Sequence, residues 1–183
     1  MTSLLKHSNQ HAKTRMVQWQ VLCLLFITLI IISVYFNIHE FDFVDFDDGM
    51  YVADNSQIQK GLSFQNIAWA FGFSEKAIEF YWHPITWVSH MADCQFFGTD
   101  AGMHHLINGF LHLLNALLLF TICYHMTSTL WQSAFIAAVF AVHPINVESV
   151  AWISERKNVL STLFWMLSMA AYLYYARRPG IRR

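Results

Sequence analysis

A chain of 183 residues is long enough for one ordinary domain, but its composition is not ordinary. Hydrophobic residues make up 56%, aromatics 16% and charged residues only 13%, which excludes a typical soluble domain and points to a multi-span membrane protein. The net charge of −1 hides a division: of the twelve acidic residues all but Glu148 and Glu155 lie between positions 40 and 100, while the basic residues gather mainly at the two ends. Topology explains that basic bias, so nucleic-acid binding has no support.

In chain order, residues 1–16 are polar and basic and read as a loosely ordered cytoplasmic arm. Residues 17–36 are apolar and free of charge. About 20 such residues cross the hydrocarbon core of a bilayer. The stretch lacks a small-residue cleavage site, so it reads as a retained anchor and not a signal peptide. Three more spans are expected at about 106–126, 130–146 and 159–176. The third is short and is interrupted at His143-Pro144. The membrane domain thus occupies 17–176, with outer loops at 37–105 and 147–158 and a basic tail at 177–183. Lys6, Lys13 and Arg15 precede the first span, and Arg177, Arg178, Arg182 and Arg183 follow the fourth. The positive-inside rule therefore puts both termini in the cytoplasm and the acidic loops outside.

The first outer loop holds two helix signals. Ser63 is placed to cap a helix from Phe64 to Phe71 that Gly72 ends. Pro84 opens a second helix that stops at Gly98, with Ile85, Val88, Met91, Ala92 and Phe96 at helical spacing and Trp82 and Trp87 suited to the headgroup level. That pattern predicts a helix lying in the membrane interface, with a self-packed mini-domain as the alternative. The fold expected is all-α and integral to the membrane.

Candidate site residues follow from where charge and polarity fall. Phe43-Val-Asp-Phe-Asp-Asp-Gly-Met-Tyr-Val52 puts Asp45, Asp47 and Asp48 just past the first span, a place where membrane proteins usually carry basic residues. His105, Asn108, His112 and Asn115 share one face of the second span. Such a stripe serves either interhelical hydrogen bonding or a lipid-linked substrate. After the third span, Glu148, Trp152 and Glu155 line one face if the chain is helical from Val147, and Arg156 and Lys157 follow. A self-paired Glu155–Arg156–Lys157 surface cluster is the plainer reading. There is no HExxH and no CxxC around Cys23, Cys94 or Cys123, so no metal site is assigned and no disulfide framework is expected.

Carboxylates beside amphipathic helices and aromatics suit a substrate that straddles the interface, such as a polyprenyl-phosphate sugar. Transfer to a hydroxyl needs a general base, here Asp47 or Asp48, and a cation on the phosphate, here Arg156 or Lys157. The segments FVDFDDGMYV, WHPITWVSHMADCQFFG, MHHLINGFLHLLNALLLF and FAVHPINVESVAWISERKNVLS, in this order, resemble the N-terminal membrane region of the TMTC family of transmembrane and tetratricopeptide-repeat proteins. That resemblance implies a partial GT-C architecture and transfer of a sugar, mannose in the best-understood members, from a polyprenyl-phosphate donor to protein Ser or Thr. It maps the acidic motif to Asp47 and Asp48. It maps the second-loop acids to Glu148 and Glu155 and the donor phosphate to Arg156; Lys157 beside it, and His105 and His112 of the polar stripe, complete the donor-binding candidates.

No resident cofactor is implied, and a divalent metal is left open. The partners expected are membrane lipid, the lipid-linked sugar, a protein acceptor and the family's remaining membrane and tetratricopeptide parts. The compartment would be a bacterial inner membrane or the endoplasmic reticulum. Family members continue with further spans and helical repeats, whereas this sequence ends at Arg183, so a truncated form is expected. A non-catalytic membrane module that binds lipid or a partner subunit is the alternative, and a transporter comes third.

Overall fold

A computed structural model describes residues 2–73 and 82–177. The expected basic tail from Arg178 onward lies outside these residues. Among the described residues there are helices and turns and no strand, as an all-α membrane protein requires. Three helical stretches, Lys13–Glu40, Ala101–Thr127 and Ile153–Ala176, are long and apolar enough to cross a membrane. A fourth span results if Leu130–Val142 and Pro144–Ala151 are taken together across their 49° bend.

The helices are α1 (Thr2–Tyr35), α2 (Ser56–Gln59), α3 (Phe64–Ala70), α4 (Pro84–Phe97), α5 (Ala101–Thr127), α6 (Leu130–Val142), α7 (Val147–Ala151) and α8 (Arg156–Ala176). Helix α1 runs unbroken from Thr2, so the arm expected to be loose continues the first helix. The bend after α6 has the cause read from the sequence: Pro144 cannot donate a backbone hydrogen bond, and His143 before it is extended. Helix α7 ends at Ala151 and Trp152 is extended, which breaks the expected face of Glu148, Trp152 and Glu155.

Helix α5 is the axis of the bundle and packs against α1, α6 and α8. Ile27, Ile31, Ala116, Phe120, Ala137 and Ala141 form the core between them, all buried. Small residues at the crossing let the helices approach closely, which is how packing is achieved where lipid removes the hydrophobic driving force. The polar stripe of α5 spends itself in the same way. Asn115 donates to the Val159 carbonyl (3.0 Å), His112 meets the Ala141 carbonyl (3.0 Å) and Asn108 donates to the Trp152 carbonyl (3.0 Å).

A second core sits over one end of the bundle, built from Tyr51, Val52, Ile58, Ala70, Trp87, Met91, Cys94 and Ile153. The helix signals of this layer behave as expected. The Ser63 hydroxyl accepts from the Asn66 amide at 3.1 Å, and Gly72 takes a left-handed φ of 79° after α3. Helix α4 also keeps its expected limits, but not its expected face. Trp87 is buried at 2% exposure and stacks on Tyr51, while Trp82, Ile85 and Phe96 are exposed. The buried side of α4 is mixed, with Thr86, His90 and Asp93 beside Trp87, Met91 and Cys94. Hydropathy spacing could not show this, because the polar members of that face find partners only in the folded chain.

Candidate functional site at the loop end of the bundle

The acidic stretch divides its work. The Asp48 side chain is fully buried and accepts two backbone hydrogen bonds at 2.9 Å, one from the Val44 amide and one from the Ser154 amide. It therefore clips the turn after the first span to the segment before α8, across 106 positions of sequence. A carboxylate receiving N–H donors in a buried setting makes strong bonds, and here no surface is left for a substrate. Asp45 is exposed and Asp47 is half-buried at the same turn. The Asp47 carbonyl accepts from the Tyr51 amide at 3.0 Å, which starts the helical turn carrying Tyr51.

Arg156 is likewise consumed. It is fully buried at the first position of α8. Its Nε donates to Asn108 Oδ1 (2.6 Å), Nη1 to Ser89 Oγ (3.1 Å) and to Asp93, and Nη2 to the His104 carbonyl (2.8 Å). One guanidinium thus ties α4, α5 and α8 together, and all its nitrogens are occupied within the protein. The expected Glu155–Arg156–Lys157 cluster is split accordingly. Lys157 pairs with Glu155 at 2.5 Å, and Asn158 donates to the same carboxylate, while Arg156 turns inward to Asp93. Burial of a full ion pair is costly unless its donors are satisfied, and here four of the five guanidinium N–H groups have acceptors.

Lys157 is the cation that stays near the surface. Its side chain is 27% exposed, and Nζ lies 5.4 Å from the centre of the Tyr51 ring. The Tyr51 hydroxyl bonds His83 Nδ1 at 2.9 Å. The His83 pKa is lowered by burial and by Lys157, with Glu155 opposing, which favours the neutral imidazole. Tyr51, His83, Glu155 and Lys157 are therefore one polar group, a single helical turn along the chain from Asp47. Phe46 and Trp152 pack with ring centres 6.0 Å apart and join the same two loops.

The remaining expected residues are placed elsewhere. Glu148 is exposed on the first turn of α7. Among the described residues, no hydrogen bond or ion pair links its carboxylate to Asp47, Asp48 or Lys157. His105 is buried, with Nε2 3.4 Å from the Asp42 carbonyl, and His112 lies deeper against Tyr35 and Phe140. Both histidines hold protein to protein. Sequence reasoning missed Tyr51 and His83, and also Ser89, His90, Asp93 and His104. The last three carried a faint signal: His90-x-x-Asp93 sits at helical spacing, and His104 adjoins the polar stripe.

Comparison with known proteins extends this picture. The chain is 28% identical over 140 residues to protein O-mannosyl-transferase TMTC3 of Homo sapiens, a match covering 74% of this chain and 15% of that protein. It is 26% identical over 137 residues to protein O-mannosyl-transferase Tmtc2 of Drosophila melanogaster, covering 72% of this chain and 15% of the relative. With human TMTC1 the identity is 29% over 132 residues, again 15% of the relative's length. The chain is a distant relative of the TMTC protein O-mannosyl-transferases. What it shares with these TMTC proteins is a segment of about 15% of their length. No family model and no solved structure matches the chain.

Proposed function

We propose that this chain supplies the donor-binding end of a membrane glycosyltransferase that moves mannose from a polyprenyl phosphate to a protein hydroxyl. The observation that carries the proposal is the Asp48–Ser154 clip, which brings the acidic turn against the loop bearing Glu155 and Lys157. A half-buried carboxylate and a half-buried ammonium then share one end of an apolar bundle, which suits a donor with a polar head and an apolar tail. Relatedness to protein O-mannosyl-transferases gives the chemistry its class.

In this reading Asp47 takes the proton from the acceptor Ser or Thr as its oxygen attacks the anomeric carbon. The bond from that carbon to the phosphate oxygen breaks, and the phosphate leaves on the polyprenyl chain. Lys157, steered by Glu155 and the Tyr51 ring, stabilises the charge gathering on that phosphate. Asp48 and Arg156 position these groups without touching substrate. The loop end faces away from the cytoplasm, following the basic residues Lys13, Arg15 and Arg177 at the other end.

The test is transfer from labelled polyprenyl-phosphate mannose to a Ser/Thr peptide by the chain reconstituted in vesicles. Asp47→Asn is expected to lower the rate by about 10²-fold or more with donor binding retained. A rate unchanged in Asp47→Asn removes the base assignment. The burial of both Asp48 and Arg156 also suits a non-catalytic membrane module, and donor binding with no transfer by the unaltered chain would favour it.

A further inference from the structure

The group at the α4–α5 junction does more than hold Arg156. His90 and Asp93 on α4 and His104 on α5 are all buried, and one ligand atom from each lies within 4.8 Å of the other two. His90 Nδ1 is 3.2 Å from His104 Nδ1, and His104 Nδ1 is 3.3 Å from Asp93 Oδ2. Four-coordinate zinc with bonds of 2.0–2.1 Å separates its ligand atoms by about 3.3 Å along each tetrahedral edge. The two spacings match that edge.

With its proton on Nε2, toward the Gly98 carbonyl 3.4 Å away, His104 accepts at Nδ1 from His90 Nδ1–H. That arrangement leaves His90 Nε2 buried without a partner among the described residues, and it turns the His104 Nδ1 lone pair toward Asp93 Oδ2, 3.3 Å away. A cation between the two Nδ1 atoms and Asp93 would replace that lone-pair contact, with His104 Nε2–H donating outward to Gly98 as metal-bound histidines commonly do.

We propose that His90, Asp93 and His104 bind a divalent transition ion, zinc being the best fit, that pins the loop-layer helix α4 to the central helix α5. Two imidazoles and a carboxylate are borderline-soft donors suited to zinc and not to calcium or magnesium. Arg156 shares the Asp93 carboxylate with His104. Both contacts fall on Asp93 Oδ2, so the ion either shares that oxygen with Arg156 or takes Oδ1 after the carboxylate rotates, at some loss of affinity. The ion is structural: none of its ligands belongs to the group around Asp47 and Lys157.

The test uses the whole chain purified in detergent, stripped with chelator and titrated with Co²⁺ alone. The expected result is the visible absorption of four-coordinate cobalt, saturating at one ion per chain and displaced by zinc. His90→Ala and Asp93→Asn should each lower bound metal at least tenfold, while His105→Ala, beside the cluster, retains it. Absence of the cobalt bands in the unaltered chain overturns the proposal, and so does metal that stays bound in His90→Ala. The titration of the unaltered chain decides the matter even if a variant fails to fold.

Discussion

Replacing Asp48 by Ala would remove the clip between the acidic turn and the start of α8. The Ser154 amide is buried, so losing its acceptor leaves an unpaired donor that costs about 1–3 kcal/mol. Val44 is exposed, so water can take over much of the second bond, and that share is about 1 kcal/mol or less. Together about 1–4 kcal/mol is expected, against the total of about 5–15 kcal/mol that holds a typical domain together. Asp48→Asn keeps one acceptor oxygen but turns an amide group toward the other donor, so roughly half of that loss is expected. Because the clip joins two loops and not two spans, the loss should appear as local opening of the loop layer. Hydrogen exchange at the Ser154 amide reads it directly. A cost of about 2 kcal/mol accelerates exchange roughly 30-fold, since each 1.4 kcal/mol is tenfold. Amides in the middle of α5 should be unaffected. Unchanged exchange at Ser154 in Asp48→Ala would refute the clip and return Asp48 to the list of possible bases.

Other outcomes follow from the same contacts. Arg156→Leu strands the buried Asp93 and leaves Asn108, Ser89 and the His104 carbonyl without their donor, and is expected to destabilise by about 3–5 kcal/mol in a thermal unfolding measurement. Gly102→Ala puts a Cβ 2.2 Å from the His39 carbonyl oxygen, so the 3-10 turn after α1 must shift off α5, at a cost of about 1–3 kcal/mol in the same assay. His90 has a lowered pKa in the fold, so the unfolded chain takes up its proton first as pH falls below about 6.5. Stability is therefore fully present above that pH and is lost below it by up to about 1.4 kcal/mol per pH unit. His90→Phe should flatten that slope in unfolding curves taken on the chelator-stripped chain between about pH 6.5 and 5, relative to the unaltered chain treated the same way.

Much of the scaffold was legible in the residues. Charge-free runs marked the spans, Pro144 marked the bend after α6, and Ser63, Gly72, Pro84 and Gly98 marked the ends of the loop-layer helices. These are local signals, set by propensity and capping over a few residues. The face that α4 buries was not legible. His90 and Asp93 look like solvent-facing residues until Arg156, more than 60 positions later, supplies a partner. The same limit applied to the charged candidates. Asp47 and Asp48 are adjacent and chemically identical, and only the position of the Ser154 amide makes one a clip and leaves the other at the surface. Arg156 and Lys157 are adjacent as well, and the first turn of α8 points one inward and the other out. Sequence could name these pairs but could not divide them, because the division is made by contacts distant in the chain.

That division is open to one direct measurement: donor binding and transfer by Asp47→Asn and Asp48→Asn, compared side by side in vesicles with labelled polyprenyl-phosphate mannose. Asp47→Asn should bind donor normally and lose transfer, with Ser154 exchange unchanged. Asp48→Asn should lose transfer only in proportion to the opening of its loop layer, so that activity and Ser154 protection fall together. Full loss of transfer in Asp48→Asn with an intact loop layer, alongside an active Asp47→Asn, would contradict the assignment and exchange the roles of the two carboxylates.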